Sequence, residues 1–295
     1  MEWTAKMSQS YVIAIASGKG GTGKTTIAVN LAAYCARSNS KVQYLDCDVE
    51  EPNGHIFLKP KINIKKDVTV QIPQVDSEKC IGCGKCGKIC RFSAIVHIKD
   101  NKVLTFEQLC HSCGGCIRVC PTDAIRPKKL KIGDIEIGQS DNLDFVQGKL
   151  NIGNIRTPSL IKEVKTQIKK DYLSIIDVPP GTSCSVVEAV KGTDFVILVT
   201  EPTPFGLNDL KLAVGLVKKM KLPFAVAINR DGLGNDQVEK YCRTENIDIA
   251  LKLPDDRAIA RAYSTGQLIL DQHEKSFSNL FKFVKNIRSK RYAKR

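Results

Sequence analysis

The stretch Gly18-Lys-Gly-Gly-Thr-Gly-Lys-Thr25 fits G-x-x-x-x-G-K-[ST], and no other segment constrains the fold as tightly. A phosphate-binding loop works only between a strand and a helix, where backbone N–H groups at the helix start can wrap an anion. Both neighbours are present. YVIAIAS (11–17) reads as a buried parallel strand, and KTTIAVNLAAYCARS carries apolar residues at helical spacing at Ile27, Leu31, Ala32 and Cys35. Further apolar runs end in acids or polar turns: KVQYLDCD (41–48), DYLSIIDVPPG (171–181), DFVILVTEP (194–202) and PFAVAINR (223–230). Strands alternating with helices predict an α/β fold, a doubly wound, mostly parallel sheet with functional residues at the carboxyl ends of its strands.

Over 76–130 that alternation stops and cysteine and glycine take over. Cys80, Cys83, Cys86 and Cys90 follow C-x2-C-x2-C-x3-C, and Cys110, Cys113, Cys116 and Cys120 repeat it, with Pro121 after the last. This is the bacterial two-cluster ferredoxin run, in which the fourth cysteine of each motif serves the other cluster. One 4Fe–4S cluster therefore takes Cys80, Cys83, Cys86 and Cys120, and the second takes Cys110, Cys113, Cys116 and Cys90. FSAI (92–95) and TDAI (122–125) follow the motifs as a pseudo-repeat. Zinc sites are usually built from paired C-x2-C halves, which these complete four-cysteine runs match poorly. The expected organisation is a discontinuous P-loop ATPase domain, 1–75 and 131–295, with an inserted α+β two-cluster ferredoxin domain at 76–130. Cys35 and Cys47, outside the runs, read as buried and inert.

Within the loop, the backbone from Gly18 through Gly20, Gly21, Thr22 and Gly23 to Thr26 would cradle the phosphates. Lys24 would reach the β/γ oxygens and the Thr25 hydroxyl would take Mg²⁺. Asp177 reads as a second magnesium-side acid at a strand end. Asp48 is placed on the metal side as well, to orient or deprotonate the attacking water. Asp46 is equally readable as a strand-end turn residue. No N-K-x-D guanine pattern is present, since 229–232 reads NRDG, so ATP is expected over GTP.

KGGTGKTT, LDCD, IIDVPPGTS and INR together resemble the deviant phosphate-loop ATPases of the MinD, ParA, Mrp and nitrogenase iron protein class. TEPTPFGLNDL and GKLNIGNIRTPSLIKEVK look like the MinD-superfamily ATPases that contain an inserted ferredoxin domain. The resemblance implies a nucleotide-sandwich dimer, of two copies or with a similar paralogue, in which Lys19 reaches the partner's ATP. It also implies that Asn229 reads adenine, with Pro254 and Asp255 as the other wall. The nitrogenase iron protein has a cluster-ligating cysteine at a place matching Cys184, but a second such cysteine has no counterpart here, and plain loop packing is the expectation for Cys184. The function expected is ATP hydrolysis coupled to low-potential electron transfer with an unidentified donor and acceptor. The alternatives are an iron–sulfur carrier with a client protein and, more weakly, a positioning ATPase.

The formal charge of +14 invites a nucleic-acid reading, but six of the cations lie in the last eleven residues. Eight cluster-bound thiolates would remove about four more units of positive charge. A solvated tail accounts for the excess without a nucleic-acid partner. The last helix carries Phe277, Leu280, Phe281, Val284 and Ile287 at helical spacing. Helices of that kind can lie on membrane surfaces, but packing on the sheet is the preferred reading. No run approaches 18 apolar residues and the first ten are mixed polar, so the expected location is cytoplasmic.

Overall fold

β1 (Tyr11–Ala16) is buried along its whole length, and its side chains alternate between two cores. Tyr11, Ile13 and Ile15 face one, and Val12, Ala14 and Ala16 face the other. A strand apolar on both faces needs helices on both sides. The computed structural model, which describes residues 10–38, 40–98 and 102–292, supplies them. After β1 come α1 (Lys24–Arg37), β2 (Val42–Asp46), α2 (Gly54–Leu58), β3 (Lys61–Val75), α3 (Lys85–Ile89), β4 (Ile95–His97), β5 (Val103–Thr105), α4 (Gly115–Arg118), β6 (Ile125–Ser140) and β7 (Leu143–Leu150). Then follow α5 (Thr157–Lys165), β8 (Leu173–Asp177), α6 (Cys184–Val190), β9 (Phe195–Thr200), α7 (Pro204–Lys219), β10 (Phe224–Asp231), α8 (Gln237–Thr244), β11 (Ile249–Pro254), α9 (Arg257–Ser264) and α10 (Leu270–Tyr292).

The main sheet runs β11-β10-β9-β1-β8-β2-β7-β6-β3. From β11 to β7 every pairing is parallel, and β6 and β3 close that edge antiparallel. The doubly wound, mostly parallel sheet is as expected. Side chains of α1, α9 and α10 fill one face, and those of α5, α6, α7 and α8 fill the other.

β3 and β6 pair from Lys61↔Gln139 to Val75↔Ile125, a ribbon far longer than an ordinary strand pair. The cysteine runs lie in the chain between its far ends, where Asp76 N–H bonds the Ala124 carbonyl at 2.7 Å. The apolar face of α10 is packed as preferred: Phe277, Leu280, Phe281 and Val284 are buried and Ile287 packs against the same core. Its Arg288 is buried too, over the Tyr11 ring at 5.4 Å. The chain end at 293–295, the first nine residues, and the side chains of Lys290 and Arg291 lie outside the described residues, and with them part of the basic tail.

Candidate functional site: a nucleotide cleft and a cysteine lobe

The phosphate loop turns at Gly21 (φ 76°) and Gly23 (φ 90°), backbone conformations that side chains resist, and α1 starts at Lys24. Gly23 is doubly constrained, because a Cβ there would overlap the Asn229 amide. Gly18 is fixed by the Asp209 backbone in the same way. A cleft of about 450 Å³ opens over the loop, a size suited to a small-molecule ligand. Of the expected residues, its walls hold Gly20, Gly21, Gly23, Lys24, Thr25, Thr26, Asp48, Asn229 and Pro254. Asp255 lies beside Pro254 in the same wall. Gly18, Lys19, Thr22 and Asp177 are not on the wall. Thr22 is buried, and its carbonyl accepts from the Asn229 amide nitrogen at 2.9 Å. That bond uses the nitrogen and leaves Asn229 Oδ1 buried without a partner, an acceptor suited to an amino group such as that of adenine.

Behind the loop, β2 and β8 bring Asp46 and Asp177 opposite each other, both fully buried. The Tyr44 hydroxyl donates to Asp177 Oδ2 at 3.1 Å. Asp46 accepts from the N–H groups of Asp48 at 3.1 Å and Gly54 at 2.9 Å. Of the two sequence readings of Asp46, this is the turn residue: it organises the loop that carries Asp48. Burial, then the Asp177 charge, hold Asp46 well above the carboxylate range. Asp177 is raised by burial too, against the Thr25 hydroxyl and Lys24. Asp48 is pushed up to about 7, first by burial and then by Asp177, with Lys24 opposing. Asp177 Oδ1, buried without a partner close to Asp48, is an acceptor suited to a water of a hydrated divalent cation.

Lys19 lies outside the cleft. Its ammonium is 3.5 Å from Glu201 Oε2, and the Arg230 guanidinium holds Glu201 Oε1 at 2.7 Å. Glu201 is buried at the end of β9, so a strand-end acid that sequence reasoning passed over tethers this lysine.

In the cysteine lobe the two motifs superpose in conformation. Gly84 and Gly114 precede α3 and α4 with φ near 70°, Gly82 and Ser112 are both left-handed, and so are Ser93 and Asp123 in the pseudo-repeat. Cys80, Cys83, Cys86 and Cys120 line a single cavity, walled by Val75 and Ile81, so the crossed set is brought together. Cys90 and Cys110 share an apolar cluster with Ile72 and Ala94. Although burial raises both Cys90 and Cys120, the backbone around Phe92–Ile95 and Thr122–Ile125 hydrogen-bonds them and lowers each below the usual thiol value. Such donors favour thiolates, and thiolates are what a 4Fe–4S cluster requires. Burial pushes the Cys35 and Cys47 thiols up, consistent with inert packing. Cys184 departs from expectation: as the first residue of α6 it is exposed rather than packed.

The family model for the CobQ/CobB/MinD/ParA nucleotide binding domain matches residues 13–269, most of the chain. The chain belongs to the CobQ/CobB/MinD/ParA nucleotide-binding family. An uncharacterized protein of Methanocaldococcus jannaschii is 31% identical over 271 residues, 91% of this chain and 94% of its own. The iron-sulfur cluster carrier protein of Pyrococcus horikoshii is 28% identical over 272 residues, 87% of this chain and 78% of its own. An uncharacterized ferredoxin of M. jannaschii shares 42% identity over 60 residues, 19% of this chain and 78% of its own. Among solved structures, the septum site-determining protein MinD of P. horikoshii with Mg-ADP superposes with a TM-score of 0.58 at 21% identity, covering 93% of this chain and 96% of that one.

In this MinD/ParA-family chain the phosphate loop, Asp48 and Asn229 converge on one cleft, as the motifs require. Among the contributors that went unread in the sequence, three follow strand ends. Glu51 and Asn53 line the cleft from the loop after β2, and Glu201 tethers Lys19. The first two follow an acid-ended strand, the only signal that pointed to them; Glu201 had the same position after β9.

Proposed function

We propose that this protein is a Mg²⁺-dependent ATPase whose nucleotide state governs electron transfer through two 4Fe–4S clusters retained in its cysteine lobe. The observation that carries the reading is the pairing, in one chain, of the family's nucleotide cleft with a cavity lined by the crossed set Cys80, Cys83, Cys86 and Cys120. Backbone donors of the phosphate loop and Lys24 hold the triphosphate. Asp48, ionised, takes a proton from the attacking water. Bound Mg²⁺ would neutralise charge on the phosphate oxygens, held by Thr25 and, through water, by Asp177. Lys19 belongs to a second subunit's ATP in a nucleotide-sandwich dimer, where a cation supplied in trans is worth about 10³–10⁵ in rate, as an arginine finger is. The clusters, when bound, supply one-electron transfer, and their cysteines with the backbone donors hold them in place.

A second reading, delivery of clusters to a client, is favoured by the relatives named iron-sulfur cluster carrier proteins. The two differ in what leaves the protein. Anaerobically purified protein, prereduced and mixed with a low-potential acceptor dye and Mg·ATP, should reduce the dye while keeping about eight iron atoms per chain. ATP-dependent loss of iron to an apo-ferredoxin, with no dye reduction, would establish the carrier instead.

A further inference from the structure

Arg156 caps the start of α5 and is 4% exposed, an unusual burial for a guanidinium. Buried arginines are normally paired with carboxylates. Here, among the described residues, no acid pairs with it. Its Nη2 donates to the Glu107 carbonyl, its Nε to Ser112 Oγ at 3.3 Å, and its Nη1 to Asn154 Oδ1 at 3.4 Å. Glu107 and Ser112 stand on either side of Cys110, and the Ser112 N–H points at Cys110 Sγ at 3.4 Å. The cation is thus held by the two residues that flank Cys110, the cysteine assigned above to the second cluster.

The next residue faces the other way. Thr157 is also buried, and its hydroxyl donates to Glu50 Oε1 at 2.6 Å. Glu50 sits between Asp48 and Glu51, both of which line the nucleotide cleft. A second tie joins the same loop to the segment leading to Arg156, from Leu150 N–H to the Val49 carbonyl at 2.8 Å. Two consecutive buried side chains therefore connect the nucleotide loop to the flanks of Cys110.

We propose that Arg156 and Thr157 are the joint by which nucleotide occupancy acts on the second cluster, with the Arg156 cation as the counter-charge that moves. Arg156 is a positioning residue: it touches neither nucleotide nor the reacting atoms. Nucleotide bound in the cleft repositions the Asp48–Asn53 loop, Glu50 carries Thr157 with it, and the guanidinium shifts relative to the cluster held by Cys90, Cys110, Cys113 and Cys116. A cation drawn closer favours the reduced, more negative cluster, because burial leaves the charge poorly screened. Linkage is reciprocal, so reduction must change nucleotide affinity by the same factor as nucleotide changes the reduction equilibrium. The inference rests on the two-cluster reading for its redox consequence, but the joint itself is made of this chain's own contacts.

The test uses Thr157→Val, which removes the hydroxyl and keeps the shape, and Arg156→Gln, which removes the charge. Hydrogen exchange is followed by mass spectrometry over residues 107–118, with and without a non-hydrolysable ATP analogue and Mg²⁺, and the second cluster's midpoint potential is measured under the same conditions. Wild type should show nucleotide-dependent exchange over 107–118 and a nucleotide-dependent potential. Thr157→Val should bind the analogue and lose both responses. Arg156→Gln should make the second cluster harder to reduce even without nucleotide; if it sheds iron, the Thr157→Val results carry the test. A wild-type response that persists in Thr157→Val, or a wild type with no response at saturating analogue, overturns the joint. Protein that lacks iron but shows the exchange response and its loss in Thr157→Val would sink the electron-transfer reading and leave the joint standing.

Discussion

The two lysines of the phosphate loop have different surroundings and so different expected losses. Lys24 is buried in the cleft, whereas Lys19 is held outside it by Glu201. A half-exposed ion pair is worth about 0–1 kcal/mol. A cation placed on a transferring phosphoryl group is worth about 4–7 kcal/mol, so release of Lys19 towards a partner subunit is readily offset. Lys19→Ala should therefore leave ATP affinity nearly unchanged while steady-state hydrolysis falls by about 10³-fold or more; a surviving rate would reduce Lys19 to a surface loop residue. Asp48 gives a pH prediction with a definite sign. Its folded-state value lies near 7, above the ordinary value of 3.8, so the native state holds the extra proton between those limits. Stability without magnesium and nucleotide should then fall as pH rises from about 4 to 7 and level off above that, by a few kcal/mol at most. Thermal melts of wild type and Asp48→Asn should diverge across that window, with the variant's curve the flatter.

At the level of elements, the phosphate loop shows how a glycine pattern becomes geometry. Gly23→Ala would force a Cβ into a left-handed backbone and against the Asn229 amide. That strain costs about 1–3 kcal/mol and displaces the Asn229 side chain. Isothermal titration should show ATP binding lost or severely weakened while the circular dichroism stays native. The last helix makes a simpler case. Phe277 is completely buried between α10 and the sheet, so Phe277→Ala should destabilise the fold by about 3–5 kcal/mol in denaturant titration. The long ribbon of β3 and β6 went unread although apolar residues alternate in it, at Val68, Val70 and Ile72 and again at Ile135 and Ile137; lysines and acids interrupt the pattern, and alternation marks a strand without naming its partner. Edge strands carry fewer core contacts, and their partner is chosen by topology rather than by local pattern.

For the whole molecule, the crossed ligation proposed for the two clusters would make the cysteine runs interdependent while keeping two separable sites. Cys120 lines the cavity of the first run although it lies in the second. Cys120→Ser should accordingly lose the cluster of Cys80, Cys83 and Cys86 and retain the other, so iron per chain falls by about half. Cys110→Ser should remove the second cluster instead. The electron paramagnetic resonance spectra of the two reduced variants should then sum approximately to that of wild type. Loss of the Cys110–Cys113–Cys116 signal on removing Cys120 would mean that each run ligates its own cluster.

Local pattern by itself determined the parallel α/β sheet, the phosphate loop and the ligand spacing. Each is written in short-range form: apolar runs set strands, glycines permit left-handed turns, and C-x2-C-x2-C-x3-C brings sulfurs together within one loop. Asp177 and Asn229 were legible too, since strand ends in such a sheet converge on one edge. Only the tertiary structure decided what each of these groups faces. Asp46 and Asp177 meet because β2 pairs with β8, more than a hundred residues away. Lys19 finds Glu201 across the sheet end, and Arg156 closes on the flanks of Cys110 from the start of α5, more than forty residues along the chain. Partners distant in the chain leave no periodicity to read, because their proximity is set by how strands are ordered and not by any residue's own neighbours.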